Sequence, residues 1–439
     1  MKKTIDYRRI KIKEGIDLHL LKTSKFKTTM IKIYLQEQLR KETAPMVALI
    51  SYLLFRGTNN RPTTLEMMRY LEELYGADLS ADVQKLGECQ YLTLTLELIN
   101  RHYLPGSRDL LDEGLAFILD VLTNPRTVNG KFAEDYFAQE KTVLKDDINS
   151  LFDDKSKYAN QRCIQLMCPD EPFGIYKYGS IKYLEKITNE DLYSYYRNLL
   201  RNNPIHIFIV GDIIETEVVE KVEKAFLDFK PRSIIISPIV AQKKKVISQK
   251  VIEEADIRQG KLAIGYRTNI TRRSPEYYAL YVFNGIFGSQ PHSKLFQNVR
   301  EKASLAYYIY SWFDSTKGIL QVSSGIESSN LEKVLQIVDE QLKAIKEGKI
   351  TRKELDFTKK AYYRNFQYLL DDNEALIDSC MVEITNGLEP VLEELIKEID
   401  KVTLEDVQAV ASKIELDTIY FLKGKEGAKD EAGNVEENA

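Results

Sequence analysis

Alternating apolar and polar positions mark two hairpin-like strand pairs, ADLSADVQKLGECQYLTLTLEL (77–98) and AYYIYSWFDSTKGILQVSSGI (306–326), with Gly87 and Gly318 at matching turns. Each pair is followed by a helix-period stretch, 110–122 and 331–345, and then by a second helix ending in Asp-Asp, 137–154 and 357–372. Near the end of the first half, a helix over 187–200 with Thr188 as N-cap leads to a strand at 206–213. The second half closes the same way: Thr403 caps a helix over 401–414 that leads to a strand at 418–424. Strands followed by runs of helices, twice over, predict an α+β protein of two tandem homologous domains, each a sheet with helices packed on one face. The boundaries fall at 1–229 and 251–425. The stretch 230–250, with its prolines and the Lys243-Lys244-Lys245 run, reads as a solvated linker rather than an anion site.

Composition narrows the class without naming a function. A length of 439 residues exceeds one ordinary core, and 44% hydrophobic with 29% charged residues is ordinary for a globular protein. The 62 basic and 66 acidic side chains leave a net charge of −4, interleaved along the chain, so neither nucleic acid nor an anionic membrane is an expected partner. The basic start MKKTIDYRRIKIKEG has no apolar stretch behind it, and no run of about 18 apolar residues occurs, which points to a cytoplasmic protein. The four cysteines read as small hydrophobes in a reducing compartment. Residues 426–439, rich in Glu, Gly, Ala and Asn, read as a disordered tail.

The segment ALISYLLFRGT (48–58) brings in chemistry by what it lacks. Positions i, i+3 and i+4 of a helix share a face, and Ala48, Ser51 and Tyr52 stand in that relation. The Phe55-Arg56-Gly57-Thr58 ending resembles the zinc helix of the pitrilysin and insulinase-type (M16) peptidases, in which that face carries His-x-x-Glu-His. By the resemblance, Ala48 and Tyr52 hold the histidine places and Ser51 that of the catalytic glutamate. Alanine has no ligand atom, neutral hydroxyls bind zinc poorly, and serine is no general base at neutral pH. The stretch QEKTVLKDDI places Glu140 and Asp147 where the family carries two glutamates seven apart, the later one a metal ligand. One ligand of three makes no site. His19, His102, His206 and His292 show no helical pairing, and Cys163 and Cys168 are five apart, so no metal is expected in this chain.

A second resemblance to the same family lies in FNGIFGSQPHSKLFQNVREKASLAYYIYS (283–311). There a Gly-containing loop, here including Gly285, Gly288 and Ser289, precedes a helix ending in Arg-Glu-Lys and a strand beginning Leu-Ala-Tyr. The family's Arg and Tyr reach a facing zinc site, hold substrate backbone and stabilise the oxyanion. Arg300 and Tyr307 match them, and a guanidinium and a phenol both donate hydrogen bonds. Ser304 stands where the family often has Gly, and Gln290-Pro291-His292 makes the loop less Gly-rich. His292 reads as an exposed loop histidine. Tyr307, Tyr308, Tyr310 and Trp312 read as strand aromatics covering both sheet faces.

The resemblance, over about residues 10 to 425, implies mostly antiparallel sheets of the LuxS/mitochondrial-processing-peptidase-like type. It implies a non-catalytic, substrate-holding subunit of a heterodimeric M16 peptidase, with zinc in a homologous partner and none here. An extended peptide would add to a sheet edge. The alternative is a peptide-binding or scaffolding module with no hydrolytic role. Self-association into a homodimer is an expectation for the chain alone.

Overall fold

The computed structural model describes residues 5–234, 236 and 248–424. Most of the 230–250 linker, including Lys243-Lys244-Lys245, and the tail at 426–439 lie outside them. The chain forms two compact units: residues 1–150, 171–239 and 366–392 make the first, and 151–170, 240–365 and 393–439 the second.

The first unit holds a six-stranded sheet of β1 (Asp6–Lys13), β2 (Ile16–Lys22), β3 (Thr28–Gln38), β4 (Asp78–Leu86), β5 (Cys89–Ile99) and β8 (Ile205–Gly211), in the order β1-β2-β8-β3-β5-β4. A two-stranded ribbon, β6 (Thr127–Val128) and β7 (Lys131–Phe132), stands apart. Its helices are α1 (Ala44–Leu54), α2 (Thr64–Glu73), α3 (Leu111–Thr123), α4 (Glu134–Ser150), the short α6 (Ile181–Leu184), α7 (Asn189–Asn202), α8 (Glu215–Ala225) and α12 (Asn373–Thr385).

The second unit holds five strands, β9 (Gln249–Ala255), β10 (Gly260–Arg267), β11 (Ala306–Asp314), β12 (Ile319–Ile326) and β13 (Glu415–Gly424), in the order β11-β12-β10-β13-β9. Its helices are α5 (Lys155–Met167), α9 (Tyr277–Asn284), α10 (Leu331–Lys346), most of α11 (Arg352–Leu369), α13 (Glu394–Lys401) and α14 (Leu404–Ser412).

The duplication read in the sequence is present in the pairing itself. The order β4-β5-β3-β8-β2 recurs as β11-β12-β10-β13-β9, with β1 the one added strand. In each sheet one neighbouring pair is parallel, β2 with β8 and β9 with β13, and the others are antiparallel. Gly87 and Gly318 turn the two hairpins at φ 58° and 69°, where a Cβ would be strained. Thr188 and Thr403 accept from the backbone N–H of Asp191 and Asp406, satisfying helix donors that would otherwise be unpaired.

One feature departs from helices on a single face. In β3 the alternate residues Ile31, Ile33 and Leu35 join the main core, while Met30 and Tyr34 point the other way into a second cluster. That second face is covered by Leu376, Ile377, Cys380 and Met381 of α12, which comes from the second half of the sequence. Reciprocally, α5 from the first half packs on β10, β12 and β13; a Cβ on Gly265 would sit 2.2 Å from Met167 Sδ. The Asp-Asp pairs start these exchanged helices rather than ending the preceding ones. Asp154 accepts from the N–H groups of Ser156 and Lys157, and Asp372 from that of Ala375. Beneath α12, Lys32 is 1% exposed and its ammonium lies 2.7 Å from both Glu374 and Asp378.

Candidate functional site

The face of α1 that would carry a metal motif is closed by its own substitutions. Ala48 and Ser51 are fully buried, and the Ser51 hydroxyl donates to the Ala48 carbonyl at 2.7 Å. Tyr52 donates its hydroxyl to Asp147 of α4. Burial first, and then that carboxylate, push the Tyr52 phenol well above its ordinary range, so it stays a neutral donor. One turn on, Arg56 forms an ion pair with the buried Glu140, donates to Gln139 at 2.7 Å and stacks over Tyr136. Both carboxylates of the expected pair are thus engaged by side chains of the α1 segment.

These residues do not fit a zinc ion. Tetrahedral sites need three or more His, Cys or carboxylate ligands free to turn to the metal. Among the described residues no group of three such side chains could hold one. What remains is a cavity of about 370 Å³ lined by Ser51, Tyr52, Phe55, Arg56, Ala81, Asp82, Glu140 and Val143. Two of its residues, Ala81 and Asp82, belong to β4, the edge strand of its sheet.

The second unit keeps its donors in solvent. Arg300 lies on a π-helical segment, Phe296–Lys302, with its side chain 44% exposed; it stacks over Phe296 and is only 3.9 Å from Glu301. Tyr307 is 63% exposed. It sits at an irregularity of the edge strand β11: Ala306 faces Ile326 and Tyr308 faces Gly325, leaving Tyr307 unpaired as in a bulge. Ser304 holds φ 52°, the left-handed conformation in which glycine is favoured, which gives the Ser-for-Gly departure a physical cost. Tyr308 is half-buried with its hydroxyl 2.7 Å from Ser156, and the buried positions on this strand are Ile309 and Ser311.

The Gly285–Ser289 stretch, read as a loop, is helical and continues α9. Its glycines permit close packing: a Cβ on Gly285 would meet Thr358 at 2.4 Å, and one on Gly288 would meet Ser311 at 2.5 Å. Ser289 Oγ lies 3.3 Å from the Tyr362 hydroxyl. His292 is not idle either; it is half-buried, bonded to Thr358 at 2.8 Å, and burial lowers its pKa.

The chain is 39% identical over 414 residues to "Probable inactive metalloprotease YmfF" of Bacillus subtilis (strain 168), covering 94% of this chain and 97% of that protein. It belongs to the M16 peptidase family. The "Peptidase M16 inactive domain" model matches residues 186–362. A crystal structure of a conserved protein from Enterococcus faecalis V583 superposes with a TM-score of 0.88 at 32% identity, covering 95% of this chain and 99% of that one. An M16 inactive domain from Pseudomonas fluorescens shares the fold at a TM-score of 0.78 and 18% identity, over 97% and 100% of the two chains. This chain is thus an M16 homologue of the inactive kind.

Two features of this M16 chain escape a linear reading. Arg56 neutralises Glu140 because α1 and α4 pack together, and only the Phe-Arg-Gly-Thr ending signals it. His19 and His206 lie 187 positions apart, yet the parallel pairing of β2 with β8 sets His19 Nε2 3.2 Å from His206 Nδ1. Tyr7 completes the chain at 2.9 Å from His19 Nδ1. No helix among the described residues is long and apolar enough to cross a membrane.

Proposed function

We propose that this chain is the substrate-holding subunit of a heterodimeric M16 peptidase whose zinc-bearing subunit is a homologue. The carrying observation is the exposure of Arg300 and Tyr307, two hydrogen-bond donors held by a π-helical segment and a strand irregularity yet without strong partners among the described residues. Such donors can meet a peptide carbonyl oxygen and the charge that develops on it. The partner supplies the metal and the water it activates; this chain orients the peptide. The edge strand β11 offers unpaired backbone groups to an extended segment, giving affinity with little sequence preference. Assembly belongs in the cytoplasm, where the buried free cysteines Cys89, Cys163, Cys168 and Cys380 stay reduced. The lone chain can pair with itself until the partner displaces a copy.

The test is to purify the chain alone and with a homologue carrying His-x-x-Glu-His, then measure metal content, co-elution and cleavage of unstructured peptides. A metal-free, inert chain that co-elutes with the homologue and lets it cleave is the expected result. Cleavage by the homologue alone at the same rate overturns it. Edge pairing needs no metal, so a peptide-binding module without hydrolysis is the second reading; peptide affinity that ignores chelators, with no cleavage in any assembly, would establish it.

A further inference from the structure

Helix α11 is the duplicate of α4, and the two differ in charge. Placing Asp371-Asp372 on Asp153-Asp154 sets the buried Leu355, Thr358 and Tyr362 on the buried Phe137, Glu140 and Leu144. The same register sets exposed Lys353 and Arg364 opposite Asp135 and Asp146, and Lys360 opposite Thr142. The packing face is retained while the solvent face has changed sign. Lys353, Phe357, Lys360 and Arg364, at i, i+4, i+7 and i+11, form one exposed stripe with Tyr363 at its flank. Lys353 stacks on Phe357, which is 43% exposed. Among the described residues none of the three cations has a carboxylate within ion-pair distance, whereas neighbouring Arg352 pairs with Asp356. Like charges along one helix face oppose the helix, so its stability does not account for the stripe.

The stripe is also tied to the Arg300 segment. His292 bonds Thr358 and stacks edge-on with Phe357 at 6.0 Å, and Lys294 pairs with Glu354 at 2.8 Å. We propose that Lys353, Lys360 and Arg364, with Phe357, form a docking track for an acidic segment of the peptide substrate. Eleven residues of helix span about 16 Å, the reach of roughly five extended peptide residues. Carboxylates spaced along such a segment meet the three cations while its apolar groups lie on Phe357 and Tyr363. The chain's net charge of −4 favours this local recognition over nucleic-acid binding.

This inference rests on the peptide-holding reading, and the test separates the two. Short labelled unstructured peptides, acidic, neutral or basic, are titrated with the purified chain and followed by fluorescence anisotropy. The acidic peptide is expected to bind tightest, and K353E/K360E/R364E to weaken it about tenfold while leaving the neutral peptide unchanged. The milder K353Q/K360Q/R364Q variant should shift it the same way, as should raising salt to about 0.5 M. Melting curves matching the parent verify that both variants fold. Equal binding of all three peptides, or no response to either variant, overturns the track and leaves the reading standing. Stronger binding of a single-stranded oligonucleotide than of the acidic peptide also overturns it. No binding of any peptide, alone or with the homologue, overturns both.

Discussion

In the first unit the polar side chains along the face of α1 that the resemblance aligns with a metal motif are bonded within the protein: Ser51 bonds its own helix, Tyr52 holds Asp147 and Arg56 holds Glu140. In the second unit Arg300 and Tyr307 are exposed, with no comparable partner among the described residues. A buried polar group is held by structural bonds because leaving it unsatisfied costs more than a satisfied one returns. A group kept for a ligand must stay open. The same duplicated scaffold therefore holds bonded polar side chains in one unit and exposed donors in the other.

Mutations should divide along that line. Arg300→Ala should lower turnover of the assembled pair by roughly 10²-fold or more, the scale of one oxyanion donor. Its urea midpoint should match the parent's; a large fall would make Arg300 structural and break the comparison. The next largest effect is on pH. Burial lowers the His206 pKa to about 4 and that of His19 in the same direction, so folding favours the neutral rings. Their contribution is complete above the unfolded value of about 6.5 and is lost as pH falls through the folded values, His206 alone costing about 3 kcal/mol by pH 4. Denaturant unfolding across that window checks the slope, which His206→Phe should flatten.

Tyr52→Phe should cost about 1 kcal/mol, since the Asp147 carboxylate loses its donor, with turnover of the pair unchanged. Lost turnover would return Tyr52 to the chemistry. Smallest of all, Ser304→Gly should stabilise by about 0.5 kcal/mol, relief at the left-handed φ outweighing the flexible glycine's entropy. A destabilised variant would show that the Ser304 side chain has its own role.

The sequence revealed what is local. Turns at Gly87 and Gly318 and caps at Thr188 and Thr403 are decided within a few residues, and residue type alone says that Ala48 offers no ligand atom. Less visible was anything set by packing partners. Neither α5 nor α12 is among the helices expected from the sequence, and nothing local in them says which sheet they cover. Glycines 285 and 288 looked like a loop because glycine serves tight packing as well as turns. His19 and His206 meet only through a parallel strand pair closed late in the first half of the chain.

The exchange of α5 and α12 also fixes how this polypeptide can be divided. Its backbone passes from one unit to the other five times. A gene severed within 230–250 would yield two fragments, each carrying off the cover of the other's sheet. The first would leave Met30, Tyr34, Tyr91 and Phe208 bare, and the second would expose the face around Gly265. Such fragments would aggregate if made separately and rebuild the protein only if made together. The duplication that began as two copies has become a single heritable piece.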